Sequence, residues 1–472
     1  MKIRVKFTPI VIVFIGHMLA MVSAGIVISE IIMIGLFTLS AFHLLKGNNK
    51  YFWAMLLLGA YNSNFPNVYT LNIGPLSSVY FLIIIFIFLH LKDVLKNKFR
   101  KEIFLFVLPF LLLYPIQIFL GFINRYSYYL FFVDVFSFSS FLFFIFYAIT
   151  ISKNNLIEIL DYIKKYLVLV YPVFIIFSTI IRPGDPTSLY FDEFSKLHAI
   201  GIIPIIYLST YSRKTKLLVA LINIVAILLI AFLGYFSSLN FILISLSSIF
   251  ILFKLHRRTL VMTIIVVILL APITLSQIYI QLSSQTKFKV SQVSDTIEEL
   301  IAGKIEKVPF SPKIRLLEIM NSYAELKEFP LYLITGKGYG SFFTYKYYPN
   351  HKYGIATLVA KDAYEEASIT RNQYPRGHGF YSYSLIKIGV VLVFVMTIIG
   401  LLAFFIKEVQ FQWLSISVPF YILTTFGFGY KNFVFVGLFV GIILLLLSEQ
   451  LLIRNKAKMS IKYTSDEPNI SC

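Results

Sequence analysis

Charged side chains are scarce in this sequence. Asp, Glu, Lys and Arg together make up 14% of its 472 residues, where a soluble domain carries about 25%. A soluble fold of this length needs a polar coat over its core, and this chain has too few polar residues to make one. Cysteine is nearly missing as well. Cys472 stands alone, which excludes a disulfide within one chain and a cysteine-ligated metal site. There is no internal repeat, no low-complexity tract and no G-x-S-x-G nucleophile elbow. The seven His residues show no metal-ligand spacing, and His17, His43 and His90 fall in or beside apolar runs, where they read as packing residues.

What the chain has instead is apolar sequence, 58% of it, gathered into long runs such as 390–406 and 129–151, the latter charged only at Asp134. About 20 apolar residues at about 1.5 Å each match a hydrocarbon layer roughly 30 Å thick. In lipid the backbone must satisfy its own hydrogen bonds, so such runs are helices. Spans are read near 8–24, 26–45, 51–62, 72–91, 102–122, 129–151, 165–181, 197–211, 217–234, 236–254, 259–276, 379–406, 410–427 and 432–453. The segment 51–62 is short enough to be re-entrant, so the expectation is an all-α polytopic membrane protein of 12–14 transmembrane helices. Met1–Lys6 followed by apolar residues looks like a signal sequence, but apolar sequence continues to Leu45 and reads as a retained first span.

The net charge of +19 does not point to nucleic acid, because no basic stripe interleaves with exposed aromatics. The cations cluster between spans, at Lys92–Lys101, at Arg213, Lys214 and Lys216, at Lys254, Arg257 and Arg258, and at Arg454, Lys456 and Lys458. The positive-inside rule assigns all four clusters to the cytoplasm. Counting spans between them gives a consistent alternation with both termini cytoplasmic. Four segments result: transmembrane helices over 1–276, a large extracytoplasmic loop over 277–378, further transmembrane helices over 379–453, and a cytoplasmic tail over 454–472. The loop is rich in Tyr, Phe, Ile and Leu and reads as ordered and partly helical. Ser311-Pro312 ahead of Ile314, Leu317, Met320 and Ala324 predicts a capped helix ending near Phe329-Pro330.

Three stretches carry candidate chemistry. Lys313 and Arg315 lie in the opening turn of that helix, where free N–H groups and the helix dipole attract phosphate, and Arg offers a forked cation. Arg371, Arg376 and His378 lie just ahead of a span; the arginines suit a diphosphate leaving group and His accepts a proton near neutral pH. Arg182 and Asp185, then Asp192, Glu193 and His198, lead into another span, with acids placed to bind sugar hydroxyls. Each stretch also reads more plainly, as a solvated loop or an interfacial anchor. Gly336-Lys337-Gly338-Tyr339-Gly340 is glycine-rich, but no strand–helix unit surrounds it as a nucleotide loop requires.

Together these stretches resemble the Wzy-type polysaccharide polymerases, relatives of the O-antigen ligases. The resemblance runs from about residue 180 onward. It rests on Phe191-Asp192-Glu193-Phe194-Ser195 heading a span, Arg315 on a loop helix followed by Pro330-Leu331 and the glycine turn, and His378-Gly379-Phe380-Tyr381-Ser382 followed by Ile388-Gly389. The layout also matches, with one large outer loop before the last few spans. The chain departs from the family pattern at Phe194, at Gly379, and at Gly234–Asn240, where many relatives carry a basic residue.

The resemblance implies a fold similar to the C-superfamily glycosyltransferases and en bloc transfer of a glycan from undecaprenyl diphosphate to the non-reducing end of another lipid-linked repeat unit. It implies no metal or other cofactor, His378 and Glu193 as catalytic residues, and Arg315, Arg371, Arg376 and Arg182 on the diphosphate. It further implies the bacterial inner membrane, a lipopolysaccharide or capsule product, and a chain-length regulator as a membrane partner. An O-antigen ligase using lipid A–core as acceptor is the alternative within the same chemistry. A lipid-linked oligosaccharide flippase is the alternative outside it.

Overall fold

The computed structural model describes residues 8–22, 27–58, 72–73, 76–96, 101–181, 193–208, 212–232, 242–249, 283–355, 366–375, 377, 380–406, 408, 411–425 and 433–450. The fold over these residues is helical apart from one short hairpin. In chain order come α1 (Thr8–Val22), α2 (Val27–Leu45), α3 (Lys50–Leu58), β1 (Asn72–Ile73) and β2 (Leu76–Ser77). Then follow α4 (Ser78–Lys96), α5 (Lys101–Asn124), α6 (Tyr128–Thr150), α7 (Lys153–Lys165), α8 (Tyr171–Ile181), α9 (Glu193–Leu208) and α10 (Arg213–Phe232). The stretch 242–249 is also helical. The remainder comprises α11 (Ser284–Ile301), α12 (Phe310–Glu328), α13 (Pro330–Thr335), α14 (Glu366–Arg371), α15 (Phe380–Leu402), α16 (Gln412–Thr425) and α17 (Phe433–Gln450).

Six of these helices are long and apolar enough to cross a bilayer: Val27–Leu45, Ile103–Asn124, Tyr128–Thr150, Arg213–Phe232, Tyr381–Phe405 and Phe433–Gln450. Pro9–Ala20 and Leu197–Leu208 are shorter apolar helices. Their outer surface is as apolar as their core. On α5, Leu105, Leu112, Phe119 and Ile123 lie exposed along one side, a stripe that water would not tolerate and that lipid solvates. This is an α-helical, multi-pass membrane architecture. The expected span at 259–276 lies outside the described residues.

Several boundaries differ from the hydropathy reading. Of the segment read as 51–62, the described part ends at Leu58 and forms α3, which begins at Lys50. The segment read from 72 opens with the β1–β2 pair before α4 begins at Ser78. The segment read as 165–181 is the continuation of α7 through a π-helical turn at Tyr166–Val170. α7 itself buries Leu156, Ile159, Leu160 and Ile163 on one face and carries charge on the other, the pattern of a helix lying in the membrane–water interface.

Serine caps start α6, α7 and α11. Ser127 accepts from the Leu130 amide at 3.1 Å, Ser152 from Asn155 at 3.3 Å and Ser283 from Thr286 at 3.1 Å, each satisfying one free donor. The core is aromatic and centred on α6 and α17. Gly437 and Gly441, four apart on α17, bring the two backbones together: a Cβ on Gly441 would stand 2.5 Å from the Ile145 carbonyl. Small residues at this spacing are how apolar helices approach closely without a hydrophobic drive. At the α7 end of α6, Lys153 bridges Glu408 at 3.0 Å and Glu449 at 3.1 Å, tying the α6–α7 turn to the end of α17.

The described residues of the large loop, 283–355, 366–375 and 377, form a packed unit. α12 and α13 lie against α15, and α13 also touches α5. At its surface, Lys346 pairs with Glu328 at 2.6 Å while the Tyr347 hydroxyl donates to the same carboxylate. These bonds hold the Glu328 pKa below the ordinary carboxylate value, the Lys346 hydrogen bond first. A depressed carboxylate pKa contributes above the ordinary carboxylate range and is lost as pH falls through it. An exposed pair contributes little. Lys346→Ala is therefore expected to leave the thermal unfolding midpoint unchanged within error, as read by a melt in detergent at pH 7.

Candidate functional site

The glycine turn after α13 is threaded between the ends of α5, α6 and α15. Gly336, Gly338 and Gly340 all have positive φ, and Gly340 accepts from the Tyr126 amide at 2.7 Å in the α5–α6 turn. Tyr339 between them is buried. Its hydroxyl donates to Gln117 at 2.9 Å and its ring packs on Phe138 and Tyr114. The G-x-G-x-G spacing thus serves close approach of backbone to helices.

Beneath this turn lies a buried ion pair. Lys387 of α15 reaches Asp134 of α6 at 3.0 Å, with side chains 1% and 9% exposed. The Asp134 carboxylate also accepts from the Gly340 amide at 2.7 Å and the Tyr383 hydroxyl at 2.5 Å. Lys387 donates in addition to the Ser341 carbonyl at 2.5 Å. A buried charge pair is tolerated when the remaining lone pairs and protons are satisfied, and here the loop supplies two of the partners. The pair therefore locks the loop to two candidate spans. Asp134 is visible in the sequence as an isolated charge. Lys387, the one Lys or Arg within 380–406, is the corresponding signal, and the sequence reading passes over it.

Two further acids lie on one face of α12, seven residues apart. Glu325 accepts from Lys337 at 2.7 Å and from the Thr344 amide and hydroxyl. Glu318 is fully buried and accepts from Ser382 at 3.0 Å. Asn321, between them, binds the backbone of Tyr347 and Tyr348 through both ends of its amide. Glu318 also abuts Gly377, whose missing Cβ would stand 3.2 Å from the carboxylate. The first turns of α15 and the segment closing the loop therefore meet on the inner face of α12.

The residues singled out in the sequence have different fates. Arg315 is exposed on α12, one turn before Glu318, and its guanidinium donates to Ser311 at 3.1 Å. Ser311 does not cap the helix. α12 begins at Phe310 with Pro309 in the cap position and no side-chain cap, because the Ser311 hydroxyl already lies inside the first turn. The helix ends at Glu328, just before Phe329-Pro330. Lys313 is buried and donates to the Glu306 and Tyr353 carbonyls at 2.6 and 3.0 Å. Burial lowers its pKa, and its protons close backbone acceptors rather than face a phosphate.

Arg371 is exposed at the end of α14. The next residue, Asn372, has φ 49° and accepts from the Tyr345 amide at 3.0 Å, and Tyr374 pairs with Phe343 through both backbone groups. Arg371 thus heads an anchored segment that leads to Gly377 against Glu318. His198 of α9 is fully buried and bonds Asn223 at 2.8 Å, while Asn223 donates to the Val168 carbonyl in the π turn. It is a packing residue there. Arg182, Arg376 and His378 and the side chain of Glu193 lie outside the described residues.

Arg315 and Arg371 are exposed, and the buried Glu318 carboxylate accepts from Ser382 and abuts Gly377. Among the described residues no three His, Cys, Asp or Glu side chains gather as metal donors. Compared with family models, curated proteins and solved structures, the chain matches none.

Proposed function

We propose that the chain is a Wzy-type polysaccharide polymerase that moves a glycan from undecaprenyl diphosphate to the non-reducing end of another lipid-linked repeat unit. In this reading it has 12–14 spans, both termini in the cytoplasm, a fold similar to the C-superfamily glycosyltransferases, and its large loop on the outer face of a bacterial inner membrane. The observation that carries the reading is the contact of α12 with Gly377 and Ser382 through Glu318. It brings the helix of Arg315 to the residue beside His378 at the head of a candidate span.

The acceptor hydroxyl attacks the anomeric carbon, the bond from that carbon to the diphosphate oxygen breaks, and the electron pair leaves with the diphosphate. Arg315, Arg371, Arg376 and Arg182 stabilise that charge. His378 or Glu193 takes the hydroxyl proton. Glu318 acts by positioning, since it fixes Ser382 and the turn before His378.

Loss of a group that stabilises developing charge costs about 10²–10³ in rate. Arg315→Ala and His378→Ala are each expected to collapse the glycan ladder to single repeat units on a gel of cell-envelope glycan, with protein levels unchanged on an immunoblot. Normal chain length in both variants removes the site assignment. Deleting the gene should leave single repeat units capped on lipid A–core; polymer accumulating on the carrier would instead indicate a ligase.

A further inference from the structure

At the opposite end of α6 from Asp134 lies a cleft of about 360 Å³ between the α2–α3 turn, the end of α6 and α7. Tyr147 is 13 positions along α6 from Asp134, roughly 20 Å at about 1.5 Å per residue. The cleft is therefore separate from the glycine-turn site, and a role for it is independent of the proposed function. Its walls combine Asn48, Asn49 and Asn155 with Trp53, Tyr147 and Tyr162. Its charged groups, Lys50 and Glu158, pair with each other at 2.8 Å.

Among the described residues three polar atoms of this wall are left over, one of them the Tyr162 hydroxyl. The Trp53 indole N–H has no acceptor among the described residues, although the residue is only 2% exposed, and the Asn49 side-chain oxygen has no donor among them. The Asn49 amide nitrogen lies 3.2 Å from the His90 ring nitrogen, in the orientation that leaves the amide oxygen unengaged. Buried polar groups of this kind are normally satisfied. One spare donor beside one spare acceptor matches the hydroxyl, which both gives and accepts.

We propose that this cleft binds a neutral, polyhydroxylated ring of sugar size. Amides and aromatic faces side by side recognise hydroxyls and the C–H face of such a ring, and the volume lies within the range of small-molecule sites. A phosphate or another anion is disfavoured because the cation in the wall is already neutralised by Glu158. α7 lies in the interface, so the ring can come from a free sugar or from the headgroup of a glycolipid.

The chain has two tryptophans, Trp53 and Trp413. Trp413→Phe therefore leaves Trp53 as the reporter, and the wild-type chain is titrated beside it in case that variant folds poorly. The full chain in nanodiscs is titrated with glucose, N-acetylglucosamine and myo-inositol, and in a second arm with nanodiscs containing a monoglucosyl diacylglycerol. A saturable change in indole emission is expected, with half-saturation on the order of 1 mM for a free sugar. Asn49→Leu and, on the exposed face of α7, Asn155→Ala should each weaken it by about tenfold, the usual cost of one unmade hydrogen bond. A response only to the glycolipid identifies the lipid source and also supports the site. No saturable change in either arm overturns the proposal, as does tighter binding of inorganic phosphate or phosphoethanolamine than of any sugar.

Discussion

Lys387→Met is expected to lower the stability of the folded chain by about 3–5 kcal/mol, the cost of leaving a buried charge without its counter-ion. Asp134 keeps its hydrogen bonds from Gly340 and Tyr383 in that variant, but neither donor carries a charge. The Ser341 carbonyl also loses its lysine donor. Asp134→Leu combined with Lys387→Met should regain most of the loss, because replacing both members of a buried pair with apolar groups is often neutral. It should fall short because Gly340 and Tyr383 lose their acceptor and the Ser341 carbonyl its donor, at roughly 0.5–1.5 kcal/mol for each bond. The measurement is thermal or denaturant unfolding of the single and double variants in the same detergent. A single variant as stable as the wild type would mean that the pair does not hold the loop. The same pair predicts where damage first shows: cleavage by added protease should rise within 336–345 before the spans unfold.

The helical, membrane-crossing character is legible in the sequence because lipid allows few alternatives. Runs such as 129–151 and 390–406 have nowhere else to go, and Phe329-Pro330 announces the end of the helix at Glu328. Boundaries are harder. Hydropathy separates α8 from α7 near Lys165, but it does not show that the two run on as one helix through the π turn at Tyr166–Val170. It also cannot see that Phe52–Leu57 of α3 are buried inside the bundle, since an apolar run reads the same whether it faces lipid or protein. Lys313 and Arg315 look like equivalent cations in the sequence, yet two residues along a helix face different ways, and Lys313 is turned inward onto carbonyls. The least legible part is the set of buried acids and their partners. Asp134 and Tyr383 are 249 positions apart, and nothing local to either names the other. Isolated charges in apolar runs are the usable signal. Applied evenly, it points to Lys387 as well as Asp134.

Gly338→Ala is expected to undock the glycine turn, at a cost of about 3 kcal/mol or more, summing a strained backbone and an overpacked contact. Gly338 has φ 89°, and an added Cβ would stand 2.5 Å from the Gln117 carbonyl and 2.7 Å from the Gly121 Cα. Both neighbours are backbone of α5, so no side-chain rotation relieves the clash. Gly303 supplies the control. Its φ is 69°, but nothing lies within 4 Å of its would-be Cβ, so Gly303→Ala isolates the conformational term, roughly 1–2 kcal/mol. A difference between the two variants in unfolding midpoint measures the close approach itself; equal midpoints would show that the turn is not wedged against α5. The consequence extends beyond stability. Gly340 supplies one of the hydrogen bonds to Asp134, and Lys337 in the same turn holds Glu325 on α12. Displacing the turn is therefore expected to loosen α12 from α15, and with it the contacts of Glu318 with Ser382 and Gly377. On the proposed polymerase function, Gly338→Ala should abolish chain extension at temperatures where the spans remain folded, whereas Gly303→Ala should retain it.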